Sequence, residues 1–215
     1  ACAAQGYPVA WSAMTYKNMR PLFRFARNAV RELKAAGLVR VSEADKTIEF
    51  LETGGILSLF SLDNPESILG DGFKLFVLDE AARAAEEVVT EIILPTLADF
   101  EDAELLCIST PNGLNWFWEW FQRGVNGEDG FASFTAPSTA NPMPSIRKAY
   151  ERAKKITPAA KFAQEWDAQF VESGGSVFDN VDAVATARAQ RFMDGESQYV
   201  IGLDLAKSFD SSCAM

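Results

Sequence analysis

The chain has 215 residues, 48% hydrophobic and 23% charged, with a formal net charge of −10: enough for one good core and part of another. The acidic balance speaks mildly against a non-specific nucleic-acid coat, and no apolar run approaches the ~18 residues that mark a membrane span. There is no histidine, which excludes Ser-His-Asp and Cys-His catalysis and every histidine-ligated metal site, so that any metal must be held by carboxylates, as suits magnesium or manganese.

The N-terminal ACAAQGYPVAW has no charged region followed by a hydrophobic one. It is not a signal peptide and reads as a chain that starts in mid-domain. Residues 7–12 (YPVAWS) suit a strand. Residues 19–36 read as a helix, capped by Asn18, with Pro21 in its first turn and Gly37 as its stop. At roughly 100° per residue, Leu22, Ala26, Ala29, Val30 and Leu33 share one face. Arg20, Arg24, Arg27, Arg31 and Lys34 share the opposite one. Such a stripe is either a solvated outer face or a track for phosphates or an acidic neighbouring subunit. Residues 47–62 (TIEFLETGGILSLFSL) read as a hairpin around Thr53-Gly54-Gly55, and 64–73 as a loop.

Leu75–Leu78 reads as a short buried strand that runs into Asp79 and Glu80. A helix over 82–94, closed by Pro95, is expected next. Residues 104–109 (ELLCIS) make a second buried strand, stopped by TPNG. Residues 114–123 (LNWFWEWFQR) suit a helix whose Trp116, Phe117, Trp118, Trp120 and Phe121 fill core rather than stack on bases. FASFTA (131–136) suits a strand, PSTANPMP a loop, and 145–156 and 158–170 two helices. SGGSV (173–177) is the best boundary, and QYVIGLDL (198–205) restarts a strand pattern. Cys2, Cys107 and Cys213 are scattered, form no CxxC and suit a reducing cytoplasm. Buried strands alternating with helices point to an α/β fold with a largely parallel sheet.

In open α/β sheets, ligands bind at the carboxyl ends of strands. Phosphoryl transfer from a nucleoside triphosphate needs magnesium, an acid for its water shell and a group that orients the attacking water. Asp79 at the strand tip suits the first role and Glu80 the second. The plainer alternative is an acidic N-cap with a first-turn glutamate, favoured by the helix dipole. Ser109-Thr110-Pro111 brings hydroxyls beside Asp79 if the two strands are neighbours, or else forms a simple turn.

Taken in order, LFSLDNPESILGDGFKLFVLDEAA (59–82), LCISTPNGLNWFWEWF (106–121), FAQEWDAQFVESGGSVF (162–178) and YVIGLDLAKSFDSS (199–212) resemble the large subunit of tailed-bacteriophage terminases, the ATP-driven DNA-packaging motors. The resemblance implies a P-loop-type ATPase domain with a mainly parallel sheet, followed by the start of a ribonuclease-H-like α/β nuclease domain. On that pattern residues 1–172 are the motor domain, 173–197 a linker and 198–215 the first nuclease strand. Asp79 assists magnesium, Glu80 is the catalytic glutamate, and Ser109, Thr110 and Pro111 match the motif that couples hydrolysis to movement. Asp204 matches the first carboxylate of a two-metal nuclease site, where magnesium or manganese would bind; paired ions ~3.5–4 Å apart need several such ligands.

The implied function is ATP-coupled translocation of double-stranded DNA into a procapsid, with cutting of the concatemer, in the cytoplasm of the infected bacterial host. The implied partners are DNA, the portal protein, the small terminase subunit and further copies in a ring. Another P-loop ATPase acting on nucleic acid, such as a helicase, would share the DEAA strand end. No GxxxxGK[ST] occurs in these 215 residues, so the phosphate-cradling loop and its lysine are missing. The isolated chain is therefore expected neither to hydrolyse ATP nor to cut DNA.

Overall fold

A computed structural model of the chain describes residues 1–172 together with Leu203–Asp204 and Cys213–Ala214. Two compact units result, Ala1–Gly175 and Ser176–Met215. The expected boundary at 173–177 and linker at 173–197 lie outside the described residues.

The first unit is built on a mixed six-stranded sheet. Its strands are β1 (Pro8–Ala13), β2 (Val39–Ser42), β3 (Thr47–Phe50), β4 (Ile56–Ser61), β5 (Leu75–Asp79) and β6 (Glu104–Ile108), in the order β2-β3-β4-β1-β5-β6. Strands β4, β1, β5 and β6 run parallel, while β2 and β3 add antiparallel at one side. The mainly parallel α/β expectation holds, and the hairpin forms where Gly54, at φ 75°, turns the chain between β3 and β4. Strand β2 was not anticipated: the alternation Val39-Arg40-Val41 is short and follows directly on a helical pattern.

Apolar residues on alternate strand positions feed two cores. Ala10, Phe76 and Leu78 pack with Ile68, Phe73, Val89, Ile93 and Trp116. Ala13, Val39, Ile48 and Leu59 pack with Met19 and Phe23. The last two lie on helix α1 (Tyr16–Ala29), which is followed by the short α2 (Arg31–Ala35). The helix starts earlier than expected because Thr15, not Asn18, is its cap: the Thr15 hydroxyl accepts the Asn18 N–H at 3.3 Å. Pro21 sits in the helix interior, where its missing N–H orphans only the carbonyl of the exposed Lys17. Of the expected apolar face, Leu22, Ala26 and Val30 pack against this core, Ala29 and Leu33 are exposed, and Met19 and Phe23 extend the face.

The helix expected over 82–94 is replaced by a three-residue 3₁₀ turn (Ala81–Arg83), a π-helical stretch (Val88–Ile93) and a 3₁₀ end (Leu94–Leu97). Pro95 lies inside this run instead of closing it, and, having no N–H to return to the preceding turn, it accompanies the switch to tighter bonding. Helices α3 (Trp116–Val125), α4 (Pro144–Ile156) and α5 (Ala159–Trp166) follow the expected order. Residues 131–136 form no strand: Ser133 donates to the carbonyl of Phe121 at 2.7 Å, and the Phe131 ring meets Trp120 edge-on at 6.0 Å, so the segment lies along α3. Strand β6 is not buried as expected but ends the sheet among the described residues, with Leu106 and Ile108 48% and 41% exposed. No helix among the described residues is long and apolar enough to cross a membrane.

Of the second unit, β7 (Leu203–Asp204) pairs antiparallel with β8 (Cys213–Ala214), Asp204 opposite Cys213.

Candidate active site

Strand β5 delivers Asp79 to the carboxyl edge of the sheet after the fully buried Phe76 and Leu78. Its register with β6 sets Asp79 opposite Ile108. The two strands therefore end at one level, and Glu80 and Ser109 leave the sheet side by side. The neighbour relation on which the Ser109-Thr110-Pro111 argument depended is present.

The local backbone removes the helix-cap alternative. Glu80 adopts φ 57°, ψ 39°, the left-handed region that a glutamate rarely enters. Its N–H turns back to Asp79 Oδ1 at 3.0 Å. The helical run proper begins only after Ala84, which is extended at ψ 148°. Neither carboxylate caps a helix. A strained residue straight after a buried strand is a recurrent property of functional turns. Arg83 Nε lies 3.3 Å from Glu80 Oε2, at ion-pair distance but without hydrogen-bond alignment, so that this buried oxygen accepts no hydrogen bond.

The segment after β6 grips the same loop. Asn115 Nδ2 donates to the Ala82 carbonyl at 2.7 Å, and Asn112 Nδ2 reaches the same oxygen at 3.4 Å. Trp116 Nε1 donates to the Ala84 carbonyl at 2.9 Å. Ser109, by contrast, spends its hydroxyl on the adjacent Thr110 carbonyl at 2.9 Å, and Pro111 is buried. Arg83, Asn112 and Asn115 were not singled out in the sequence, and Trp116 was read as core alone. No local pattern announces the contacts of Asn112, Asn115 and Trp116, since their partners lie some thirty positions away in the chain; Arg83 pairs within its own turn, three positions from Glu80.

The basic residues of α1 do not stand opposite its apolar face. Arg20, Arg24 and Arg27 flank Met19 and Phe23 and, with Glu43 and Lys46, line a pocket of about 310 Å³. Arg27 Nη1 binds Glu43 Oε1 at 2.6 Å and holds that carboxyl below its ordinary range. Arg20 and Arg24 are exposed and form no ion pair among the described residues; Arg31 and Lys34 are exposed on α2. Asp204 belongs to the second unit, in β7.

On β6, Cys107 faces the core beside Phe76 and Leu78, and burial pushes its thiol up to about 12. With almost no thiolate at pH 8, it is expected to resist maleimide while the protein is folded and to react promptly in denaturant. Peptide mapping of the labelled protein checks this; fast native labelling of Cys107 contradicts it.

A mainly parallel α/β sheet with an acidic pair at one strand tip, beside the end of the neighbouring strand, has the fold of large-terminase ATPase domains. The chain belongs to the terminase large subunit family: the family described as "Terminase large subunit, T4likevirus-type, N-terminal" matches residues 7–183. The terminase large subunit of Thermus phage G20c is 34% identical over 174 residues, covering 71% of this chain and 36% of that protein. That of Escherichia phage T5 is 29% identical over 175 residues, covering 77% and 39%. The chain thus spans a little over a third of these relatives. Among solved structures, the large terminase ATPase domain of Thermus phage P74-26 superposes with a TM-score of 0.64 at 27% identity, over 78% of each chain.

Proposed function

We propose that this chain supplies the metal-assisting and water-activating half of an ATP-hydrolysing motor that drives double-stranded DNA into a procapsid. The observation that carries the reading is the turn at β5: Asp79 ends a buried strand and Glu80 leaves it in the left-handed conformation, beside the end of β6. The name of the P74-26 relative, an ATPase domain, supports the same chemistry.

The donor set fits a nucleotide-bound magnesium ion. No group of three or more acids or cysteines converges among the described residues, and magnesium held by one or two carboxylates plus substrate phosphates needs none. When bound, that ion neutralises charge on the phosphates. Asp79 would hold its water shell through the oxygen left free by the Glu80 N–H. Glu80 would orient the attacking water and take its proton. The phosphate-cradling loop is not among these 215 residues. The outer edge of β6, last in the sheet among the described residues, supports a further strand there, and the exposed Leu106 and Ile108 support a covering element on that face.

Arg20, Arg24, Arg27, Arg31 and Lys34 are proposed contacts to DNA or to a neighbouring subunit, with Arg27 exchanging its exposed ion pair with Glu43 for that contact. Asp204 is proposed as a nuclease metal ligand, with magnesium or manganese. The portal protein, the small terminase subunit and further copies in a ring are the proposed partners, in the cytoplasm of the infected host. Titration calorimetry on the full-length subunit tests the site: Asp79→Ala is expected to weaken magnesium-ATP binding roughly tenfold and to leave metal-free ATP binding unchanged. Unchanged magnesium-ATP affinity would remove Asp79 from the metal.

A further inference from the structure

We infer that Asn115 and Trp116 are positioning residues for Glu80, acting by holding two backbone carbonyls of the loop that carries it; this rests on Glu80 being the water-activating group. The sequence AARAAEEV after Glu80 is rich in strong helix formers. Left to itself it would wind into a helix from Ala81, with the Ala82 and Ala84 carbonyls accepting the amides of Glu86 and Val88. Both carbonyls are instead taken by side chains from the segment after β6, at 2.7 Å from Asn115 and 2.9 Å from Trp116. The 3₁₀ turn between them uses the remaining local bonds, Arg83 N–H to the Glu80 carbonyl and Ala84 N–H to the Ala81 carbonyl.

The left-handed turn at Glu80 is thus imposed from outside its own segment. Trp116 is the firmer of the two anchors, because it is buried and its ring packs edge-on against Trp120 at 5.3 Å. Asn115 is the more adjustable, since its Oδ1 is buried without a partner while Nδ2 carries the contact. Any shift of the segment between β6 and α3 must move the Ala82 and Ala84 carbonyls, and with them the Glu80 carboxylate. In this protein the link between the end of β6 and the hydrolytic group therefore runs through Asn115 and Trp116 rather than through the hydroxyls of Ser109 and Thr110.

The test uses Asn115→Ala and Trp116→Phe in the full-length subunit, each alone and combined with Glu80→Gln. Trp116→Phe keeps an aromatic ring in the core while deleting the N–H donor and part of the indole volume, so it serves where Asn115→Ala disturbs folding, with urea unfolding as the check that the core survives. Each single variant is expected to lower kcat for ATP by ~10- to 100-fold, as misplacement of a catalytic group by a fraction of an ångström does, with KM within about twofold. Neither is expected to lower the residual rate further when combined with Glu80→Gln, because the effect is routed through that side chain. Hydrogen exchange over residues 81–88 is expected to change by more than about threefold, with the β4 amides unaffected. Equal losses in the wild-type and Glu80→Gln backgrounds, or unchanged exchange over 81–88, overturn the inference. A Glu80→Gln variant with wild-type turnover overturns instead the assignment of Glu80 on which it stands.

Discussion

Replacing Glu80 with glutamine in the full-length subunit is expected to reduce ATP turnover by ~10²–10⁴-fold, the usual worth of a positioned general base. Glutamine keeps the length and shape of the side chain and carries the same backbone cost in the left-handed region, so the turn at φ 57° should survive. What it loses is the ability to take a proton from water, and the charge that faces Arg83 Nε at 3.3 Å. Nucleotide affinity is expected to stay within about threefold, because only interactions made in the transition state are removed. Single-turnover hydrolysis alongside equilibrium nucleotide binding separates the two effects. Turnover within about threefold of wild type would show that another group activates the water.

The strand ends were legible in the sequence, while the conformation that makes them a site was not. Four apolar residues before Asp79 and the run Glu104–Ile108 before Ser109 announce two strands, while their pairing, Asp79 opposite Ile108, is set by the fold and has no signal in either segment. The left-handed turn at Glu80 has no local signal. The residues after it favour helix, and what prevents a helix is a pair of donors on Asn115 and Trp116, distant in the chain. The same blindness to distant partners explains residues 131–136, whose strand-like composition is spent on packing against α3. The composition of β6 suggests burial, but the exposure of Leu106 and Ile108 depends on what covers that face of the sheet. The arginine stripe was legible as a spacing, but its relation to the core turned on Met19 and Phe23, which fill the gap between α1 and β4.

Phe76→Ala tests the scaffold that holds the acidic pair. Phe76 is fully buried near the centre of β5, on a strand paired on both sides, and its ring meets Phe73 edge-on at 5.7 Å. Truncation removes the ring's transfer free energy and leaves a cavity among Phe73, Leu78, Val89 and Ile93, which the rigid sheet cannot close. The expected loss is ~3–5 kcal/mol, a large part of the ~5–15 kcal/mol that stabilises a typical domain. Urea unfolding of the 215-residue chain should show a lower midpoint with an unchanged slope, and Tm should fall by roughly 10 °C. Phe25→Ala is the matched control, because Phe25 is 72% exposed on α1; it is expected to stay within about 0.5 kcal/mol of wild type. A loss below about 1 kcal/mol at Phe76 would mean that the sheet face relaxes around the missing ring. In that case β5 is not rigid. Asp79, three residues further along the same strand, would then owe its position to the loop contacts from Asn115 and Trp116 rather than to the core beneath it.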